Sequence, residues 1–116
     1  MDKIPGEILC RAIDNLRPGS EWMVVGDKLE WLDHLVPAPT HEEILIQAEK
    51  ERIQMKWQEL RDKRDKLLAD SDWTQNSDAP FDHAAKLAWL KYRQDLRDLP
   101  GTVIDPENPR WPVKPT

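Results

Sequence analysis

One stretch decides the fold of this chain: residues 64–100, RDKLLADSDWTQNSDAPFDHAAKLAWLKYRQDLRDLP. Its middle, residues 70–80, is dense in Asp, Ser, Asn and Thr, whose short side chains bond to nearby backbone groups and interrupt helices. Ser71 and Asp72 are expected to close this turn, with a contact to a partner as the alternative. Trp73 stands alone among them, and a solvated loop has no need of a tryptophan. We therefore expect Trp73 to be a plug that closes the end of a helical hairpin.

The second helix of this hairpin is predicted from the spacing of its apolar residues. They recur at intervals of three and four, as on one face of an α-helix, at Phe81, Ala85, Ala88, Trp89, Tyr92, Leu96 and Leu99. Leu99-Pro100-Gly101 is a stop signal, so the helix is expected to cover about residues 82–98. Trp89 and Tyr92, with Trp57 from the preceding helix, are assigned to the core of the hairpin.

The helix before the turn is predicted to begin at Thr40, with Glu43 completing a capping box. No Gly or Pro interrupts residues 41–69, so we expect one helix of about 28 residues, about 42 Å long. An apolar stripe runs along it at Ile46, Ile53, Leu60 and Leu67. Only its later part can pack on the shorter second helix. Its early turns are apolar on several sides, which predicts self-association or partner binding through Leu45 and Ile53.

The N-terminal segment predicts a small module of one helix and one β-hairpin. Apolar spacing over residues 4–17 indicates the helix, which Pro18-Gly19 ends. Gly26-Asp27 suits a type II′ turn, and this turn pairs Trp22 with Trp31. An isolated hairpin is marginal in water, so its apolar face must dock on something. The first helix is the nearest candidate; another copy of the protein or a client is the alternative.

The remaining segments are rich in proline. Residues 33–39 are expected to be an extended linker, and residues 101–116 an extended tail of partly polyproline II form. Trp111 is the anchor of that tail, either on the hairpin or on a partner. The prediction is a mainly α fold in three segments: the N-terminal module (1–39), a long helical hairpin (40–100) and the proline-rich tail (101–116).

Composition argues against several classes of function. The net charge is −5 and no segment is basic, so nucleic acid is not an expected partner. Cys10 is the only cysteine, which makes a reducing cytoplasm the natural setting. No signal peptide or membrane-spanning run is present, and no membrane partner is expected. Three scattered histidines, no phosphate loop and no nucleophile–base pair predict neither metal, cofactor nor enzyme activity.

Motifs over about residues 55–115 resemble the tail assembly chaperone family of tailed bacteriophages, and also segments of tail-fibre assembly proteins. They are RDKLL (64–68), SDWTQ (71–75), Asp78, Pro80, WLKYRQDLRD (89–98), Asp105-Pro106 and Trp111-Pro112. The resemblance implies a small virus-encoded protein that binds another tail component and carries out no chemistry.

The function expected is a phage tail or tail-fibre assembly chaperone that caps another tail protein in the host cytoplasm. The alternative is a structural component, a fibre or baseplate adaptor, that stays in the virion tail; an enzyme is a further alternative. The candidate partner-binding residues are Trp22, Trp31, Leu45, Ile53, Trp73 and Trp111. They are expected to contact a phage tail or tail-fibre protein, or a second copy in a homo-oligomer.

Overall fold

The structure is a computed structural model that describes residues 4–26 and 28–116. Over these residues the fold is mainly helical, as predicted, with three α-helices and one antiparallel pair of strands. In chain order the elements are α1 (Gly6–Leu16), β1 (Trp22–Val25), β2 (Lys28–Trp31), α2 (His41–Asp70), a short 3₁₀ helix (Asp72–Gln75) and α3 (His83–Thr102).

The chain divides into two compact units, Met1–Gln54 and Met55–Thr116. Helix α2 contributes its first turns to the N-terminal unit and its remaining turns to the C-terminal unit. The segment boundaries expected after residues 39 and 100 stay predictions.

The core of the N-terminal unit is aliphatic and consists of Leu9, Ile13 and Ile44. The strand face that carries Trp22 and Trp31 packs against this core, so the hairpin docks on α1 and on the start of α2. The strand register is as predicted, with Trp22 opposite Trp31. Gly26 has a φ of 65°, which the first position of a type II′ turn requires. The second turn residue, Asp27, lies outside the described residues, so the turn type stays a prediction.

The linker after β2 differs from the extended path expected of it, because residues 34–36 bend. The Asp33 carboxylate accepts hydrogen bonds from the backbone N–H groups of Glu21, Leu35 and Val36. These bonds, above all the one from Glu21, lower the pKa of Asp33. The bent segment also lets Trp31 Nε1 donate to the Val36 carbonyl over 2.8 Å. Local Asp bonding therefore outweighs the extended bias of the two prolines.

Helix α2 runs uninterrupted over 30 residues, as predicted. Its capping box is formed: the Thr40 hydroxyl accepts from Glu43 N–H, and the Glu43 carboxylate accepts from Thr40 N–H, each over 3.1 Å. Arg17 Nη2 also donates to Glu43. The Thr40 bonds, followed by the Arg17 contact, hold the pKa of Glu43 below its ordinary value.

The core of the C-terminal unit is aromatic. Trp89, Tyr92 and Leu96 of α3 are buried, and Leu67 and Leu68 of α2 pack against them. This contact joins α3 to the late turns of α2 as the hairpin prediction requires. Trp57 is half-buried, and Ala88, which was placed on the packed face, is exposed.

Helix α3 begins at the cap formed by Asp82, whose carboxylate accepts from Ala85 N–H over 2.8 Å. Its predicted end is wrong, because Pro100 and Gly101 lie inside the last turn. Pro100 has no backbone N–H to donate within the helix, but the residues after it still form helical hydrogen bonds. Val103 N–H and the Thr102 hydroxyl both donate to the Leu99 carbonyl. Because Leu99 is buried, packing holds this last turn in place.

Candidate protein-binding surface

The turn between α2 and α3 is held by one buried cation, Arg93, which is 8% exposed. Its Nη1 donates to the Leu68 carbonyl and to the Ser71 hydroxyl, both over 2.7 Å. Its Nη2 donates to the Asp72 carboxylate over 2.8 Å. The last four carbonyls of a helix have no partner within it, and Arg93 supplies one to α2. Ser71 and Asp72 therefore close the turn, as predicted.

Arg93 was not among the residues predicted to be functional, although its position carries a signal. Arg93 lies four residues after Trp89 and directly after Tyr92, so it falls on the buried side of α3. A charged side chain at such a position needs hydrogen-bonding partners. The polar turn 70–80 was the obvious source of those partners, because it lies at the same end of the hairpin.

Trp73 is not the buried plug that was predicted, because 51% of it is exposed. The turn residues that are buried are Ser71 and Thr74. Residues three apart eclipse each other in a 3₁₀ helix, so Ser71 and Thr74 share the inner side of the Asp72–Gln75 helix. Trp73 then falls on the outer side of that helix.

Trp73 nevertheless rests on other aromatic rings. Its ring centroid lies 5.5 Å from that of Phe81 and 6.4 Å from that of Trp89. Phe81 and Trp89 are 5.9 Å apart, and Trp89 meets Tyr92 edge-on at 5.7 Å. We call these four residues the aromatic end. Trp73 is its outermost ring, with one side on a packed cluster and the other in solvent.

The surroundings of the aromatic end are acidic. Between residues 70 and 82 the chain carries four aspartates (Asp70, Asp72, Asp78 and Asp82) and no lysine or arginine, and all four aspartates are exposed. Asp72 is paired with Arg93 and Asp82 caps α3, so both also have structural roles. The arrangement offers an apolar ring beside a turn with four acidic side chains, with Lys114 Nζ 6.0 Å from the Trp89 ring centroid, which suits non-covalent binding of a protein segment.

Trp111 was predicted to anchor the tail either on the hairpin or on a partner, and in the structure it packs on the hairpin. It is half-buried against the core of Trp89, Tyr92 and Leu96. Lys63 Nζ lies 4.5 Å from the centroid of the Trp111 ring. Trp111 also lines a groove of about 280 Å³ together with Lys56, Leu60 and Lys63 of α2.

The other four candidate residues lie in the N-terminal unit. Trp22 and Trp31 turn their rings toward the aliphatic core. Leu45 is half-buried and lines a recess of about 200 Å³ with Ile4, Pro5, Ile8 and Ala48. Ile53 is 39% exposed. The partner-binding roles of these four residues stay predictions.

A family model described as "Phage tail assembly chaperone protein" matches residues 57–116, more than half of the chain. This chain belongs to the phage tail assembly chaperone family. The resemblance seen in the sequence is thereby confirmed. The matched residues nearly coincide with the C-terminal unit, so they include the aromatic end, the Arg93 turn and Trp111. No curated protein and no solved structure matches the chain.

Within residues 4–26 and 28–116, no helix has the length and apolar character needed to cross a membrane. Over the same residues, no three His, Cys, Asp or Glu side chains cluster in a way that could hold a metal ion.

Proposed function

We propose that this chaperone binds an apolar segment of a newly made tail protein through the aromatic end, without catalysis, in the host cytoplasm. The observation that carries the proposal is the position of Trp73. It is a half-exposed tryptophan on a packed aromatic cluster, within the unit that matches the family. Covering the apolar surface of an unassembled tail protein would keep that surface from aggregating until the protein assembles.

The energetics suit a temporary complex. Burying the exposed half of a tryptophan, about 100 Å², contributes about 2–3 kcal/mol. The Arg93 bonds hold the turn in place before binding, so little conformational freedom remains to be lost there. A chaperone of this kind stabilises its client by mass action and is released when a stronger contact in the tail replaces it.

The test is co-expression of the chaperone with each phage tail protein in turn, tail-fibre proteins included. We expect one of them to become more soluble and to co-elute with the chaperone in size-exclusion chromatography. Trp73→Ala is expected to weaken this complex by about tenfold or more while the protein stays folded, because the ring is only half-buried. Leu87→Ala is the matched control: Leu87 is 52% exposed on α3 and lies outside the aromatic end.

Two results would contradict the proposal. Equal binding by the wild type and the Trp73→Ala variant would remove the aromatic end from the interface. Recovery of the protein from purified particles at a fixed ratio to other tail proteins would show a structural component that stays in the virion.

A further inference from the structure

The prolines of the C-terminal segment follow a strict period. They occupy positions 106, 109, 112 and 115, three residues apart. All four are partly buried, while Glu107, Asn108, Arg110, Val113 and Lys114 between them are exposed. Residues 106–108 form a turn, in which Asn108 N–H donates to the Asp105 carbonyl, and residues 109–116 are neither helix nor strand. A polyproline II helix has three residues per turn, so over residues 109–115 this spacing places the prolines along one edge. We call residues 109–115 the strap.

The buried edge of the strap faces the helices of its own unit. Pro109 and Trp111 of the strap, with Pro106 of the preceding turn, line one side of an open groove of about 280 Å³, and Leu60 and Lys63 of α2 line the other side. Pro112 lines a second groove with Asp95 and Leu99 of α3. The strap therefore contacts both helices through its proline edge and one tryptophan.

Two cation–aromatic contacts join the strap to the helices; a helix supplies the cation in one, and the strap supplies it in the other. Lys63 of α2 places its Nζ 4.5 Å from the Trp111 ring centroid of the strap. Lys114 of the strap places its Nζ 6.0 Å from the Trp89 ring centroid of α3. Each such contact adds attraction to the apolar burial and also favours one register of the strap.

Backbone bonding contributes nothing to this attachment. Along residues 109–116 the structure shows neither a hydrogen bond nor an ion pair to the helices. Proline has no N–H to satisfy, and a polyproline II backbone keeps its carbonyl groups in water. The strap can therefore leave the groove without leaving buried backbone groups unpaired.

From these observations we propose that the α2 surface formed by Lys56, Leu60 and Lys63 is a binding site for a proline-spaced extended segment that carries a tryptophan. Its occupant is the strap of the same chain, which is an intramolecular ligand rather than a fixed part of the core. The site recognises the proline edge by packing and the indole by the Lys63 cation. This proposal does not depend on the one made for the aromatic end.

The test uses the full-length chain with Trp111→Ala, which weakens the attachment of its own strap, and a fluorescent peptide of residues 103–116. By fluorescence anisotropy, the variant is expected to bind this peptide about tenfold or more tightly than the wild type does. In the wild type, the chain's own strap competes with the peptide at high effective concentration. A peptide of the same composition whose prolines are no longer three apart should bind about tenfold less tightly, as should a peptide with Trp111→Ala.

Lys63 provides a second measurement in case Trp111→Ala impairs folding. Lys63 is exposed, so Lys63→Glu should fold normally and loosen the strap, whereas Lys63→Arg should hold it. The expected readout is faster trypsin cleavage after Arg110 in Lys63→Glu alone. A folded Trp111→Ala chain that binds no peptide would overturn the proposal. So would equal binding of the two peptide spacings, or cleavage after Arg110 that Lys63→Glu leaves unchanged.

Discussion

Among the residues that the structure describes, each unit of this chaperone buries one charged side chain, and the two charges have different roles. Glu51 in the N-terminal unit is 4% exposed and accepts hydrogen bonds from Asn15 of α1 and Gln47 of α2. Arg93 in the C-terminal unit donates instead to the Leu68 carbonyl at the end of α2 and to Ser71 and Asp72 of the following turn. Glu51 thus joins two helices within a core, whereas Arg93 shapes a loop and positions the tryptophan on it.

The units also differ in how completely their polar groups are satisfied. In the N-terminal unit, Trp31 Nε1 has the Val36 carbonyl as acceptor. In the C-terminal unit, Trp89 Nε1 and Arg93 Nε are buried and find no hydrogen-bond partner among the described residues. Each such group costs stability. The C-terminal unit, which carries the family match, thus places its aromatic rings at some cost in stability.

The largest effect is expected from Arg93→Ala. This change removes three charge-assisted hydrogen bonds and leaves the Leu68 carbonyl with only its acceptor bonds from Ser71, so the free energy of unfolding should fall by about 2–4 kcal/mol. Urea denaturation followed by circular dichroism measures it. Arg97→Ala, at an exposed position one turn later, is the control and should change stability by less than about 0.5 kcal/mol. Equal effects of the two changes would show that the turn does not depend on Arg93.

A somewhat smaller effect is expected from Glu51→Ala. It leaves the Asn15 and Gln47 amides without their shared acceptor, at a cost of about 1–3 kcal/mol. Binding of the tail protein by the aromatic end should be unchanged, because Glu51 lies in the other unit. Glu49→Ala, at an exposed position of the same helix, is the control. If Glu51→Ala also lost tail-protein binding, Glu51 would not act only in the packing of the N-terminal unit.

The smallest effect concerns the cap at the start of α2. Because the pKa of Glu43 is lowered in the folded state, its carboxylate stabilises the fold above the ordinary carboxyl pKa of about 4.5. That contribution is lost as the pH falls through the lowered, folded-state value. Wild type should therefore be more stable than Glu43→Gln at pH 7, and the difference should vanish in acid. Urea denaturation at several pH values checks this. If the stability difference between wild type and Glu43→Gln did not change with pH, the ionised Glu43 carboxylate would not be its source.

Local signals in the sequence were sufficient for much of the fold. Gly26-Asp27 determined the strand register, and Thr40 with Glu43 determined where α2 begins, because both signals act over a few residues. The errors at the end of α3 and at Trp73 had different causes. Pro100 is a stop signal by local rules, yet burial of Leu99 carries α3 past it. Trp73 looked buried because the 3₁₀ geometry that turns it outward has no sequence signature in this turn.

The candidate site was predictable only in part. The motifs identified the family and placed Trp73 and Trp111 in the matched region, but spacing alone could not show which rings touch. Arg93 was missed because its partners are a main-chain carbonyl and two turn residues more than twenty positions away. The proline period became meaningful only once burial showed that one edge of the strap faces the helices.

The half-buried thiol of Cys10 on α1 has a practical consequence. As the only cysteine of the chain, it makes the wild-type protein a single-site reporter that needs no engineering. A thiol reagent reacts with such a group faster whenever opening of the surrounding helix exposes it further. Labelling kinetics at Cys10 thus report breathing of the N-terminal unit, and comparing them with and without a bound tail protein would reveal whether binding at the aromatic end alters that breathing.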